Sequence, residues 1–212
     1  MRKLVILAFV TLDGVMQAPG GPDEDTSGGF RNGGWVAGYW DEVLGDVMSE
    51  QMKGPFDLLL GRKTYELFAA YWPHVKADEP GAKELNSARK FVVSMSLRKL
   101  DWANSELISG DVVHEIKKLK QQAGPEIQVH GSGNFIQTLL KHDLIDELRL
   151  KIFPITLGAG KRLFAEGTVP TGFRLLDCKT SATGVIIASY ERAGDVKTGS
   201  FASGPPSREG AE

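Results

Sequence analysis

The 212-residue chain contains a single cysteine, Cys178, which excludes an intrachain disulfide and any paired-cysteine metal site. Its histidines, His74, His114, His130 and His142, fall at neither HxxxH nor HExxH spacing, so nothing places two imidazoles on one helix face and no metal centre is expected. An excess of one charge is also missing. The 25 Lys and Arg against 27 Asp and Glu leave a net charge of −2, too little to draw the chain to nucleic acid or anionic lipid. Any phosphate must therefore be held locally. No apolar run approaches the roughly 20 residues of a membrane-spanning helix. The opening MRKLVILAFVTLDG has the basic head and short apolar run of a signal peptide. Thr11-Leu12-Asp13-Gly14 then stands where a small-residue cleavage site belongs, so the segment reads as a buried first strand. A cytoplasmic location is expected.

What is present is an ordinary globular composition, 42% hydrophobic and 25% charged, in a chain long enough for one sizeable α/β domain. No internal repeat is found. Continuous apolar runs at 3–10 and 57–60 predict strands buried on both faces. Further strands are expected at 90–95, 106–109, 126–130 and 147–153, with helices over 38–52, 63–71, 82–89, 111–122 and 134–142. The helix over 38–52 presents Tyr39, Val43, Val47 and Met48 on one side. Segments 173–180 and 184–192 read as a closing hairpin. Between the first strand and first helix lies an irregular, glycine-rich stretch, 15–34, of a length that marks a functional or mobile loop. Residues 1–192 form one domain in this reading. Residues 193–212, rich in Gly, Ser and Pro, form a flexible tail. Strands alternating with helices imply a mainly parallel sheet covered on both faces, with ligands at the carboxyl ends of its strands.

Three such ends carry chemistry. In DLLLGRKTYE, residues 57–66, a strand becomes a helix at Gly61, where free N–H groups and the positive helix end make an anion site reinforced by Arg62, Lys63 and Thr64. It is not a P-loop. In IQVHGSGNFIQTLL, Gly131, Ser132 and Gly133 again join a strand to a helix, without completing a dinucleotide fingerprint. In KFVVSMSLRK, Ser94 and Arg98 follow a strand and suit a ribose phosphate. Singly, each reads equally as an ordinary turn. Together, along one sheet edge, they suit the separated phosphates of a dinucleotide.

With these stretches the chain resembles the dihydrofolate-reductase-like fold, and more closely the reductase domain of the riboflavin-biosynthesis deaminase–reductases. The likeness covers LDG at 12–14, DLLLGRKTYE, KFVVS at 90–94 and the long run 127–164, including LIDEL, FP and LGAGKRLF. It implies a three-layer α/β fold with a mostly parallel sheet and an antiparallel C-terminal hairpin. It also implies NADPH as cofactor, with Gly61, Arg62, Lys63 and Thr64, Ser94 and Arg98, and Gly131–Gly133 at the phosphates. Asp13 and Gly14 then border the nicotinamide and substrate, and Leu157 and Gly158 lie in a loop near the active site. Two features depart from the relatives. The first helix has no clear equivalent of the folate enzymes' buried acid, and Lys151 stands where they carry a threonine. Nor is there a zinc-bearing deaminase domain.

The expected activity is hydride transfer from NADPH to a small pterin-like or aminopyrimidine-like heterocycle. The competing reading is a protein that holds a nucleotide without turnover. Asp13 is the candidate catalytic residue, and it reads equally as a loop-shaping Asx residue. Trp35, between Gly33-Gly34 and the first helix, is the candidate for stacking on the substrate, ahead of Trp40 and Trp72. A homodimer is expected, the apolar strand 144–153 and its neighbours pairing sheets across subunits.

Overall fold

In the computed structural model, which describes residues 1–200, eight strands form one sheet. They are β1 (Leu4–Thr11), β2 (Phe56–Gly61), β3 (Lys90–Val93), β4 (Ser105–Ile108), β5 (Glu126–Val129), β6 (Glu147–Phe153), β7 (Gly172–Thr180) and β8 (Ile186–Gly194). Their order is β4-β3-β2-β5-β1-β6-β8-β7. All pairings from β4 to β6 are parallel, whereas β6–β8 and β7–β8 are antiparallel. This is the mixed sheet with a terminal hairpin that the sequence predicts. Strand β8 continues to Gly194, two residues into the segment expected as a tail. Its residues 201–212 lie outside the described part of the chain.

The interior strands LVILAFVT and FDLLLG are apolar on both sides because helices cover both faces. On one face α1 (Glu42–Met52), α2 (Arg62–Tyr71) and α3 (Ala82–Ser87) cover Phe56, Leu58, Leu60 and Val92. On the other, α4 (Val112–Gln121) and α5 (Gly133–Lys141) lay Ile116, Leu119, Ile136 and Leu139 against Leu4, Ile6, Leu59 and Val129. Asp111 caps α4, its carboxylate accepting from the His114 N–H at 3.0 Å.

Two expectations are corrected here. In α1 it is Leu44 that is fully buried while Val43 is exposed, because the helix starts only at Glu42, capped by Asp41, and its facing is set by the sheet. Strand β6 cannot pair sheets between subunits, since β1 and β8 occupy its two sides. The free edges are β4 and β7.

The long loop after β1 is packed. Phe30, Ala18, Trp35 and Val36 are buried with Val15 and Phe153. Gln17 ties the loop together: its amide donates to the carbonyls of Asp25 and Ser27, both at 2.9 Å, and its Oε1 accepts from the Lys161 N–H at 2.9 Å.

The carboxyl edge of the sheet is stepped. Val129, the last residue of β5, stands opposite Ile6, and β1 continues five residues further to Thr11 with β6 beside it. At ~3.3 Å per residue the step is about 16 Å high. Strand β5 ends lowest, β2 and β3 end two residues higher, level with Ala8 of β1, and together they form a shelf beside which β1 and β6 rise as a wall.

Candidate active site

The shelf is built from two glycine turns. β2 passes the chain to α2 on one face, and its neighbour β5 passes it to α5 on the opposite face, which opens a crevice between the two connections. The turns touch. Gly61 N–H donates to the Gly131 carbonyl at 3.1 Å, and the Thr64 N–H and hydroxyl both lie 3.3 Å from Ser132 Oγ. A Cβ on Gly61 would stand 2.7 Å from Ser132 Oγ and 3.0 Å from Phe135 Cβ. One on Gly131, whose φ is +151°, would collide with Thr64 Oγ1. Glycine is required at both positions by this close approach. The first-turn N–H groups of Arg62 and Lys63 in α2, and of Gly133, Asn134 and Phe135 in α5, have no intrahelical acceptor. Two positive helix ends therefore meet at one place.

Around them, the Arg62 guanidinium donates to both carboxylate oxygens of Glu66 at 3.0 Å on the helix surface. Lys63 Nζ lies 3.9 Å from Asp25 of the long loop. Ser94 closes the turn after β3, its Oγ accepting from the N–H groups of Ser96 and Leu97 at 3.2 and 3.0 Å. Arg98 beyond it is exposed and makes no ion pair among the described residues. β3, β2 and β5 are adjacent and parallel, so the three turns singled out in the sequence end side by side.

The wall is different in kind. Asp13, at the top of β1, accepts from Thr11 Oγ1 at 2.5 Å, Gly158 N–H at 2.8 Å and Leu157 N–H at 3.2 Å. The Thr11 hydroxyl, followed by those backbone N–H groups, holds its carboxyl below the usual carboxylate range. With three donors on it, the carboxylate anchors the 157–158 loop. The tryptophans also change places. Trp35 is 9% exposed, its ring edge-on to Phe153 at 5.2 Å and its Nε1 donating to the Gln17 carbonyl at 2.8 Å. It belongs to the core, so no face of it is left for a heterocycle. Trp40 is 49% exposed and meets Phe9 of the wall edge-on at 6.4 Å.

Beneath α1 runs a row of polar side chains. Gln128 Nε2 donates to the Gln51 carbonyl at 2.9 Å and to Glu126 Oε1 at 2.8 Å. Its Oε1 is thereby turned toward His130 Nε2, 3.2 Å away, which makes that nitrogen the N–H of a neutral imidazole. Burial, followed by the charge of Lys151, pushes His130 down to about 4. Lys151 Nζ donates to Gln51 Oε1. The side chain is fully buried, and burial, with the Arg149 charge second, pushes it down to about 7. Arg149 forks onto Glu126 with two contacts of 2.8 Å and reaches Glu147 at 2.7 Å. Trp40 ranks behind Trp35 in the sequence, and Lys151 stands out there only as a departure from the folate enzymes, not as a site residue. The signal is there: Glu147, Arg149 and Lys151 alternate along β6, as Glu126 and Gln128 of β5 do with His130 just past its end, and a polar stripe on one face of an interior strand demands a purpose.

A sequence profile of the RibD C-terminal domain matches residues 2–187. The chain belongs to the RibD C-terminal domain family. Two relatives of that length are the uncharacterized proteins YyaP and YwjB of Bacillus subtilis (strain 168). YyaP is 28% identical over 195 residues, covering 89% of this chain and 94% of its own. YwjB is 27% identical over 179 residues, covering 84% and 91%. Among solved structures, a putative riboflavin biosynthesis protein from Shewanella sp. PV-4 superposes with a TM-score of 0.63 at 23% identity, covering 90% of this chain and 99% of that one. A pyrimidine reductase-like protein from Corynebacterium diphtheriae gives 0.62 at 14% identity, with coverages of 92% and 93%. Dihydrofolate reductase from Enterococcus faecalis, complexed with NADP(H), gives 0.55 at 12% identity, with coverages of 90% and 96%. The structural likenesses show the fold, which is dihydrofolate-reductase-like. Family and fold alike are those of reductases. Among the described residues no group of acids, histidines and cysteines forms a metal cluster, and no helix is long and apolar enough to cross a membrane.

Proposed function

We propose that the protein is an NADPH-dependent reductase that delivers a hydride to a small, flat nitrogen heterocycle, pterin-like or aminopyrimidine-like. The observation that carries this reading is the meeting of two helix N-termini, from opposite faces of the sheet, at glycine turns too close for a Cβ. Such a cradle fits a pyrophosphate. Gly61–Thr64 and Gly131–Gly133 would hold it, with Arg62 and Lys63 as charge partners, and Ser94 and Arg98 would meet a phosphate on the adenosine ribose. When bound, NADPH supplies the hydride. The chain itself binds, orients and excludes water. Trp40 and Phe9 offer the aromatic face for the heterocycle, and Gly14, Leu157 and Gly158 border it.

Thermal unfolding with and without NADPH tests the cradle. At a concentration 100 times Kd, binding adds about 2.7 kcal/mol, a rise of roughly 5–10 °C in Tm for a domain of this size. Arg62→Ala removes most of that rise, and NADH, lacking the ribose phosphate, produces less of it. No rise with millimolar NADPH or NADH would defeat the reading. Steady oxidation of NADPH in the presence of a reducible pteridine or pyrimidine separates a reductase from a protein that merely holds the nucleotide.

A further inference from the structure

The two carboxylates at the crevice, Asp13 and Asp41, both have their pKa lowered, which suits neither to give a proton near neutral pH. Asp13 is held ionised by Thr11, Gly158 and Leu157. Asp41, the α1 cap, is likewise lowered, first by the Leu44 N–H and then by donors of the β7–β8 turn such as the Thr183 N–H. Lys151 occupies the wall above the shelf. It pairs with Phe9, three residues beyond Ile6, where β5 has already ended. Its Nζ lies 5.9 Å from the Phe9 ring centroid, and Phe9 in turn meets the half-exposed Trp40. Among the described residues the ammonium, with three N–H bonds, has one hydrogen-bond acceptor, Gln51 Oε1, and no carboxylate pairs with it; the nearby acids Glu126 and Glu147 pair with Arg149. A buried cation so poorly matched is costly to keep. Gln51 also lines a polar cavity of about 480 Å³, together with Glu50, Gly54, Pro55, Glu126 and Arg149, at the end of α1 away from the shelf.

Resting on the reductase reading, we propose that Lys151 is the proton donor of the reaction, facing the substrate past Phe9 and recharged by water from the cavity beneath α1. Reduction of a C=N bond adds hydride to carbon and a proton to nitrogen. The dihydronicotinamide gives up the hydride and is oxidised. An N–H bond of Lys151 breaks, its electron pair stays on Nζ, and the proton bonds to the substrate nitrogen. The neutral amine then takes a proton from water. The charged groups facing Lys151 suit this cycle. On β6 lies Arg149, already paired with Glu147 of the same strand and with Glu126 of β5; His130, just past β5, is neutral, β1 presents Val5, Leu7 and Phe9, β8 places Ile187 opposite Lys151, and among the described residues of α1 the acid lining the cavity is Glu50. No carboxylate locks the amine in its charged form, and its lowered affinity for the proton lets it give one up near neutral pH.

The test follows the amine itself in the full chain labelled with ¹³C-lysine, the Lys151 signal being the one that disappears in Lys151→Met. We expect it to titrate near neutrality, and saturating NADPH to move its midpoint upward by roughly half a pH unit or more through the added negative charge. A signal that stays charged beyond pH 10, or that titrates identically with and without NADPH, overturns the proposal. Loss of the NADPH-induced rise in Tm strikes the reductase reading instead, so the two fail separately. Lys151→Met should melt at the same or a higher temperature than the parent, because it removes an unpaired buried charge; marked destabilisation would make the lysine structural. On the heterocycle found to be consumed, the variant should lose about 100-fold or more in kcat with little change in KM. It should also lose the fall in rate that the parent shows as pH rises through 7.

Discussion

The shelf and the wall of the crevice lie side by side on one sheet edge, yet they are made by opposite means. The shelf is built of backbone: Gly61 and Gly131 are there because nothing larger fits, and the polar groups on offer are the N–H groups of two helix starts. The wall is built of side chains whose neighbours come from distant parts of the chain. Phe9 meets Trp40, and Lys151 meets Gln51, 100 residues away. A backbone site announces itself through glycine in a strand-to-helix turn. A side-chain site shows itself only when burial is known.

The sharpest test of that contrast is the tryptophan pair. Trp35→Ala empties a packed position against Phe153 and should cost roughly 3–5 kcal/mol of stability, read by urea unfolding. Trp40→Ala should leave stability within about 1 kcal/mol and abolish binding of the heterocycle. If the two variants behaved alike, the distinction between core and crevice would collapse. Next in size is Gly61→Ala. The new methyl group presses on Ser132 and Phe135, at a cost of roughly 1–3 kcal/mol, and should remove the NADPH-induced stabilisation altogether by forcing the two turns apart. A variant that kept its full response would mean that the shelf is only a turn.

Smaller effects come from titration. His130 is pushed down to about 4 from an ordinary 6.5, so between those values the unfolded chain binds more protons than the folded one. Stability should therefore fall as pH drops from 6.5 toward 4, and His130→Gln should flatten that limb of a Tm-against-pH curve. Lys151 and Lys90, pushed by burial down to about 7 and about 8 from 10.5, act on the alkaline side. The unfolded chain again holds the extra protons there, so stability should rise with pH from about 7 toward 10.5. In Lys151→Met the remaining rise should begin nearer 8.

Much of this molecule is legible without coordinates. The alternation of strand and helix, the Asp111 cap and the three loaded strand ends follow from local rules: apolar runs need two covered faces, helices need capped ends, and abrupt turns need glycine. Those rules act within a few residues, so sequence order alone expresses them. The expectation that β6 would pair subunits failed because strand order is not sequence order: β6 is inserted between β1 and β8, and the hairpin formed by residues far downstream covers its side. The choice of Trp35 over Trp40 rested on flanking glycines. Those glycines instead let the loop fold back, with Gly33 and Gly34 against Gly21 and Pro22, which draws Trp35 into the core.

The elements, and the places where backbone is laid open to an anion, can be read along the chain, because propensity, capping and close approach are short-range. Which aromatic ring stays wet, how Asp13 is bound up in its own loop, and how Lys151 comes to lie buried with no carboxylate partner among the described residues follow from the folded arrangement. Desolvation and charge pairing depend on every neighbour at once, and those neighbours are brought together by the sheet.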